Sequence, residues 1–202
     1  MPLTTILGLL GCGLLCLALA VAVLRLRRRP VRVRYAVTLS AAVLVFAPLG
    51  DLSTAGYVRG LTGDLSVATL ALAADACFGA FLGRPLFERR DVDALLGAAA
   101  AAGLFLYPFA LGWTPFDPYA LGYNSIVFIT VLLLLSVTAW RARWTLVVLV
   151  VLLGALAFLG GVYESRNLWD YLIDPLVVLY ALFALPARLV RRYFSRDASA
   201  RA

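Results

Sequence analysis

Long apolar runs alternate with short polar segments along the chain. The apolar runs lie at residues 3–24, 35–50, 65–83, 94–113, 118–140, 145–163 and 171–190. A helix needs about 20 mostly apolar residues to cross the hydrocarbon core of a bilayer. This pattern predicts an all-α integral membrane protein in which residues 1–190 form a single bundle of about seven transmembrane helices. Six helices are the alternative, if the short second run is re-entrant.

The polar segments between these runs fall into two sets that differ sharply in charge. Of the 18 basic residues, all arginines, one set together with the tail holds 16, and the other set holds only Arg59 and Arg166. The positive-inside rule places the arginine-rich set in the cytoplasm. We therefore predict an outside amino terminus, a cytoplasmic carboxyl terminus and a basic cytoplasmic tail at residues 191–202. A re-entrant second run would spoil this division.

The composition agrees with a membrane protein and excludes several kinds of chemistry. Of the 202 residues, 63% are hydrophobic and 14% are charged, with a mean hydropathy of +0.95, whereas soluble domains are about half apolar and a quarter charged. The chain has no histidine and no lysine, so imidazole catalysis, histidine ligation of metal or haem and lysine Schiff bases are excluded. No Walker loop, Rossmann fingerprint, H-E-x-x-H or CxxC motif is present. We expect no cofactor, no metal site and no nucleic-acid partner, and we attribute the net charge of +7 to orientation in the bilayer.

Acidic residues stand where three of the predicted helices begin. Asp117-Pro118 and Asp174-Pro175 are typical of an N-cap followed by proline at the first helical position. Asp64 precedes the third run in the same way. The sequence therefore predicts these three carboxylates as helix N-caps.

Asp75 falls near the middle of the third predicted span. Its helical neighbours are mostly small residues such as Ala68, Ala71 and Gly79, which favours packing of this face against another helix. No basic residue is expected at the same depth in another span. A carboxylate inside a membrane is costly, so Asp75 is predicted to be protonated and hydrogen-bonded, or else to face a polar cavity. A proton-coupling role and a structural hydrogen bond between helices both remain open.

The predicted outer face gathers polar and aromatic residues, most densely at residues 164–174. If this segment is helical, Arg166, Asp170 and Asp174 share one stripe of the helix. Carboxylates, an amide and an arginine beside Trp169 are the groups that bind a sugar or a polar headgroup. In the alternative interpretation, Asp174 caps a helix, Trp169 belongs to the interfacial aromatic belt, and Arg166 pairs with Asp170.

A glycine-punctuated segment at residues 57–64 is able to place Arg59 over the same surface. This placement and the two features above give the set of candidate binding residues. The set consists of Arg59, Asp64, Asp75, Glu164, Arg166, Asn167, Trp169, Asp170 and Asp174.

Three functions compete for these features. The first is a non-enzymatic protein of the bacterial inner membrane that binds a polar or lipid-linked envelope substrate at its outer face, with a lipid or sugar headgroup as ligand. It would act as a subunit of an envelope-assembly or transport complex, with another membrane protein as partner and the lipid bilayer around it. The second is a proton- or cation-coupled transporter that uses Asp75, although no inverted repeat is evident. The third is an intramembrane lipid-modifying enzyme that uses Asp170 and Asp174 as paired carboxylates, for which no activated nucleophile is visible and no catalytic residue is assigned.

Overall fold

The structure is a computed structural model that describes residues 2–112 and 115–200. The chain is 77% helical, and the all-α fold predicted from the sequence is confirmed. The described residues form nine α-helices, namely α1 (Leu3–Val23), α2 (Val31–Phe46), α3 (Thr54–Thr62), α4 (Val67–Leu82), α5 (Arg89–Ala110), α6 (Ile126–Arg141), α7 (Thr145–Leu159), α8 (Leu168–Leu172) and α9 (Pro175–Ala200).

Short irregular elements connect some of these helices. Two 3₁₀ turns lie at Leu26–Arg28 and Pro118–Gly122. A small antiparallel hairpin of β1 (Pro48–Leu49) and β2 (Leu52–Ser53) links α2 to α3. Its turn contains Gly50, whose φ of 76° is a conformation that glycine adopts without strain.

Each of the seven predicted apolar runs overlaps one of the longer helices, α1, α2, α4, α5, α6, α7 or α9. Among the described residues, however, two helices, α1 and α5, have both the length and the apolar composition to cross a membrane. Helices α4, α6 and α7 are apolar but have 16, 16 and 15 residues, which corresponds to about 24 Å or less at 1.5 Å per residue. A typical hydrocarbon core is about 30 Å thick. The predicted seven-span bundle is therefore not confirmed by helix length.

Two of the three predicted N-caps form, but Asp117 caps a 3₁₀ turn and not the long helix predicted to begin at residue 118, since α6 begins at Ile126. Asp117 accepts a hydrogen bond from Tyr119 N at the start of the second 3₁₀ turn. Asp174 accepts a hydrogen bond from Val177 N at the start of α9. In both places a proline follows the carboxylate, because a residue without an N–H fits the first helical position, where that N–H would have no partner.

The third predicted cap, Asp64, was wrong. Ser66 is the N-cap of α4, and its Oγ accepts a hydrogen bond from Thr69 N. Asp64 instead accepts a hydrogen bond from Arg59 Nε at 2.8 Å. Because Arg59 binds the Asp64 carboxylate, this carboxylate does not cap the helix. Ser66 lies one residue before α4 starts, where its short hydroxyl side chain reaches the free amides.

The larger part of the core lies between α5, α7, α8 and α9. Helices α5 and α9 approach each other closely at Gly103, where Val178 of α9 fills the space that a Cβ would need. Gly154 of α7 accommodates Leu172 of α8 in the same way. Small residues at a helix crossing allow such approach. A second group forms where α1 packs along α4, with α2 and α3 against them.

The outer faces of α2 and α6 are apolar and exposed. In α2 only Thr38 and Val45 are buried, and in α6 only Phe128 and Ala139. The remaining side chains of these helices include many exposed leucines and valines. Soluble monomers rarely expose apolar patches of this extent. Together with the length of α1 and α5, these surfaces indicate association with a membrane.

We predict that Gly103→Ala destabilises the protein whereas Gly97→Ala does not. A Cβ at Gly103 collides with the stiff β-branched side chain of Val178, but a Cβ at Gly97 meets no atom within 4 Å. Both changes improve helix propensity by about 1 kcal/mol, and overpacking at Gly103 costs about 1–3 kcal/mol in the opposite direction. Thermal melting in detergent measures the difference. A Gly103→Ala variant that melts at or above Gly97→Ala would show that this crossing is not tightly packed.

Candidate functional site

Asp174 is a buried carboxylate that joins the starts of two helices. Its exposed fraction is 8%. Its Oδ2 accepts a hydrogen bond from Ser66 N at 2.8 Å, and its Oδ1 accepts from Thr69 Oγ1 and Val177 N, both at 2.9 Å. Free N–H groups at helix N-termini carry partial positive charge, which stabilises the carboxylate. Both oxygens of Asp174 are therefore occupied within the protein, where they hold α4 against α9.

Trp169 and Asn167 are also buried and bonded inside the protein. Trp169 Nε1 donates to Pro118 O at 3.0 Å, and its ring lies against Phe128 with 4.2 Å between ring centroids. Asn167 Oδ1 accepts from Trp169 N, and Nδ2 donates to Tyr119 O. Trp169 is 7% exposed, so its ring lies neither in an interfacial belt nor open to a ligand. Both residues fix α8 to the 3₁₀ turn at Pro118–Gly122.

The helical stripe that the sequence suggested for Arg166, Asp170 and Asp174 does not form. Helix α8 has only five residues and starts at Leu168, and Ile173 is extended. Asp170 Oδ2 accepts hydrogen bonds from Tyr119 Oη and Ser165 Oγ. Arg166 is exposed, and among the described residues it forms no ion pair.

Arg59 lies between Asp64 and Glu164, which brings α3 next to the loop that precedes α8. Its Nε donates to Asp64 Oδ1 at 2.8 Å, and its Nη2 lies 3.7 Å from Glu164 Oε1. The hydrogen bond to Asp64 raises the pKa of Arg59, so the guanidinium is fully charged. Glu164 has a side chain that is 72% exposed, so water screens this second contact. Charge on Glu164 thus remains accessible to a ligand.

A cleft of about 460 Å³ opens beside Glu164 and Arg166. We call it the outer cleft; its lining residues are Tyr123, Asn124, Phe158, Gly161, Tyr163, Glu164, Ser165, Arg166 and Tyr171. The wall contains Tyr163 stacked on Tyr171, with 4.7 Å between ring centroids. Tyr123 is 57% exposed at the rim. The outer cleft thus combines aromatic rings, an exposed guanidinium and an exposed carboxylate in one space.

The candidate binding residues predicted from the sequence do not include Tyr163 and Tyr171 of this cleft. Tyr163 and Tyr171 flank the polar segment in the sequence. Their rings meet because Tyr171 Oη contacts the backbone of that segment, where it donates to Ser165 O at 3.0 Å and to Tyr163 O at 3.2 Å and accepts from Tyr163 N. The sequence feature that indicates them is their position, since one tyrosine lies directly before the polar residues 164–170 and the other directly after them. Of the predicted residues, the structure places Glu164 and Arg166 in the cleft, and Arg59 and Asp64 behind Glu164.

Asp75 has partners from two other segments. Its Oδ1 accepts hydrogen bonds from Leu86 N at 2.7 Å and Phe87 N at 3.1 Å, and its Oδ2 lies 3.5 Å from Arg27 Nη2. The same Nη2 donates to Asp75 O at 2.9 Å. No basic residue of another span was expected beside Asp75, and its partner Arg27 comes instead from the 3₁₀ turn after α1, which directs this arginine onto α4. Asp75 thus holds the chain in place just before α5.

We predict that Asp75→Leu destabilises the protein more than Asp75→Asn. Leucine leaves the amides of Leu86 and Phe87 without their acceptor, at about 1 kcal/mol for each lost hydrogen bond, whereas the asparagine oxygen still accepts from them. Thermal melting in detergent should give the order wild type, Asp75→Asn, Asp75→Leu. Wild-type melting of Asp75→Leu would contradict the structural role. Loss of cellular function in Asp75→Asn at unchanged melting temperature would instead favour proton coupling.

Similarity to known proteins does not identify this site. No protein-family model matches the chain, and no curated protein or solved structure matches it either. Within the described residues, no group of three histidine, cysteine, aspartate or glutamate side chains is placed to hold a metal ion. A function is therefore inferred from the outer cleft and its surroundings.

Proposed function

We propose that the protein is a non-enzymatic, multi-pass protein of the bacterial inner membrane that binds the polar headgroup of a lipid-linked envelope substrate in the outer cleft. The observation that carries this proposal is the exposed pair Arg166 and Glu164 beside the exposed ring of Tyr123. These three side chains line the outer cleft and are left exposed by the fold. The proposed role includes service as a subunit of an envelope-assembly or transport complex.

The outer cleft has the chemistry that a phosphorylated sugar headgroup requires. A guanidinium binds phosphate through two parallel hydrogen bonds. A tyrosine ring stacks on the apolar face of a sugar, while Asn124 offers hydrogen bonds to its hydroxyls. The volume of about 460 Å³ is within the range of about 300–1,000 Å³ that small-molecule sites occupy.

The other two functions lose the features that suggested them. Asp170 and Asp174 bond to different partners and do not face a common space, which removes the motive for a carboxylate-pair enzyme. Asp75 is engaged by Arg27 and by two backbone amides, which removes the motive for an unpaired coupling carboxylate. Binding at the outer cleft is the function that these contacts leave.

The contacts between loops support the proposed placement in the membrane. Two segments predicted to be cytoplasmic contact each other where Arg90 donates to Ala142 O, and Arg34 of a third such segment donates to Ala80 O in the last turn of α4. Segments predicted to be outside contact one another at the ion pair of Arg59 with Glu164. In this proposal α1, α2, α4, α5, α6, α7 and α9 are the seven spans, with the amino terminus outside.

The placement predicts which positions an impermeant thiol reagent labels in intact cells. In a background without the native cysteines, Gly60→Cys and Arg166→Cys should be labelled, whereas Arg89→Cys and Arg141→Cys should be labelled only after the membrane is permeabilised. Gly60 has open space around its Cα, and the three arginines are exposed. Labelling of position 89 in intact cells would overturn the threading.

The binding site predicts a specific effect of Arg166 on a lipid-linked sugar. We expect Arg166→Ala to weaken binding of a fluorescent polyprenyl-diphosphate sugar in detergent by at least about tenfold, since a hydrogen bond to a charged group contributes about 1.5–3 kcal/mol. Tyr123→Ala should weaken it as well, and Tyr123→Phe should not.

The matched control is Arg141→Ala, which removes an exposed arginine at the other end of the protein. It should bind the probe as the wild type does. Equal binding by Arg166→Ala and Arg141→Ala would remove the outer cleft as the site. Arg166 makes no internal ion pair among the described residues, so its removal should leave the melting temperature unchanged. The melting temperature of each variant is measured to check that it folds.

A further inference from the structure

A second and larger cavity, of about 990 Å³, lies between α1 and α9 and runs from Leu176, near the start of α9, to Arg191. We call it the lateral groove. Helix α4 forms its floor with Leu72, Ala73 and Ala76. Its two rims are exposed apolar side chains, Leu19 on α1 and Leu176 on α9. The groove is therefore open sideways, toward the space that lipid occupies in the proposed placement.

One end of the lateral groove is strongly basic. Its lining includes the arginines Arg25, Arg27, Arg28, Arg188 and Arg191, against the single carboxylate of Asp75. Arg27 is paired with Asp75, and Arg188 is paired with Asp93. Among the described residues, the three other arginines of the lining form no ion pair, and all three are exposed. The basic end thus carries positive charge that the described residues do not neutralise.

The turn after α1 is built to hold these arginines at the groove. Arg25 has a left-handed φ of 51°, which reverses the chain at the end of α1. Leu26 is buried, 2% exposed, against Val21 and Ala80. This anchor fixes the 3₁₀ turn, so Arg27 and Arg28 line the groove instead of extending away from it. Orientation in a membrane requires arginines near this end, but it does not require them to surround a cavity.

We infer that the lateral groove binds an anionic phospholipid of the cytoplasmic leaflet. An acyl chain lies along the apolar side chains of α1, α4 and α9, and the phosphate lies among Arg25, Arg28 and Arg191. Guanidinium groups bind phosphate in a bidentate manner, and clustered arginines beside a membrane helix favour anionic lipid headgroups. This inference rests on the proposed membrane placement but is independent of binding at the outer cleft.

The test compares lipids that differ only in headgroup charge. Purified protein in detergent is titrated with phosphatidylglycerol or with phosphatidylcholine of the same chains, and bound lipid is counted by native mass spectrometry. We expect the wild type to bind phosphatidylglycerol at least tenfold more tightly. The double variant Arg28→Gln/Arg191→Gln should bind both lipids equally, whereas Arg141→Gln/Arg143→Gln, which removes two exposed arginines outside the groove, should behave as the wild type.

A second pair of variants tests the cavity itself without changing charge. Ala22 lines the groove, and its neighbour Val23, 77% exposed, does not. Ala22→Trp should fill the groove and reduce bound phosphatidylglycerol at least fivefold, whereas Val23→Trp should leave it unchanged. Both substitutions are at exposed positions of α1, and the melting temperature of each variant checks that it folds.

Four results would overturn the inference. Equal binding of the two lipids by the wild type would exclude recognition of charge, and equal loss in the two arginine pairs would show attraction to the surface alone. Full binding by Ala22→Trp would place the lipid outside the groove. Inorganic phosphate at millimolar concentration should not displace the lipid, and displacement would assign the site to a soluble anion. Arg166→Ala should leave phosphatidylglycerol binding intact, so failure of the outer cleft and failure of the groove are distinguishable.

Discussion

The arrangement of the helices depends on the hydrogen bonds that the buried Asp174 carboxylate accepts from two helix N-termini. Helices that begin inside a protein leave amides without partners, and each needs an acceptor. Asp174 supplies one to α4 and one to α9, and it also accepts from a threonine hydroxyl. Because α9 packs on α5 and α4 packs on α1, this single group connects the two halves of the core. The extended residue before it, Ile173, sets α8 apart from α9 and lets α8 close the wall of the outer cleft.

The helices and several of their ends were predictable because they follow from local pattern. Apolar runs predicted each long helix, and Asp-Pro pairs predicted two of the caps. The same Asp174-Pro175 pair also implied that no helix runs through residues 166–174, since proline marks a helix start and disfavours helix at the residue before it. A continuous helix that places Arg166, Asp170 and Asp174 on one stripe is incompatible with a helix start at Pro175. In the structure Asp174 is the N-cap of α9 and the continuous helix does not form. Helix length was overestimated for the fifth run, because a 3₁₀ turn occupies residues 118–122 and Asn124, with φ 63°, precedes α6.

The candidate site was less predictable because it depends on contacts between distant segments. The position of Asp75 along its own helix does not reveal that Arg27 and the amides of Leu86 and Phe87 fold back onto it. Trp169 has the amphipathic side chain that is typical of a residue at the membrane interface, yet its indole N–H donates a hydrogen bond to Pro118 O inside the protein. Exposed and buried members of a polar cluster look alike in sequence. The structure separates them, leaving Glu164 and Arg166 accessible and enclosing Asn167, Trp169 and Asp174.

The short helices have a consequence for the lipid around the protein. Helices α6 and α7 are neighbours of 16 and 15 residues. In the proposed placement, this side therefore presents an apolar surface about 6–8 Å shorter than the hydrocarbon core. Such hydrophobic mismatch is relieved when the bilayer thins locally or when a second protein covers the short side. Helix α1, with 21 residues, matches the full thickness. The protein would therefore sit in a bilayer of uneven thickness, thinnest beside α6 and α7, and that side is where lipids with shorter chains or a neighbouring membrane protein gain most by association.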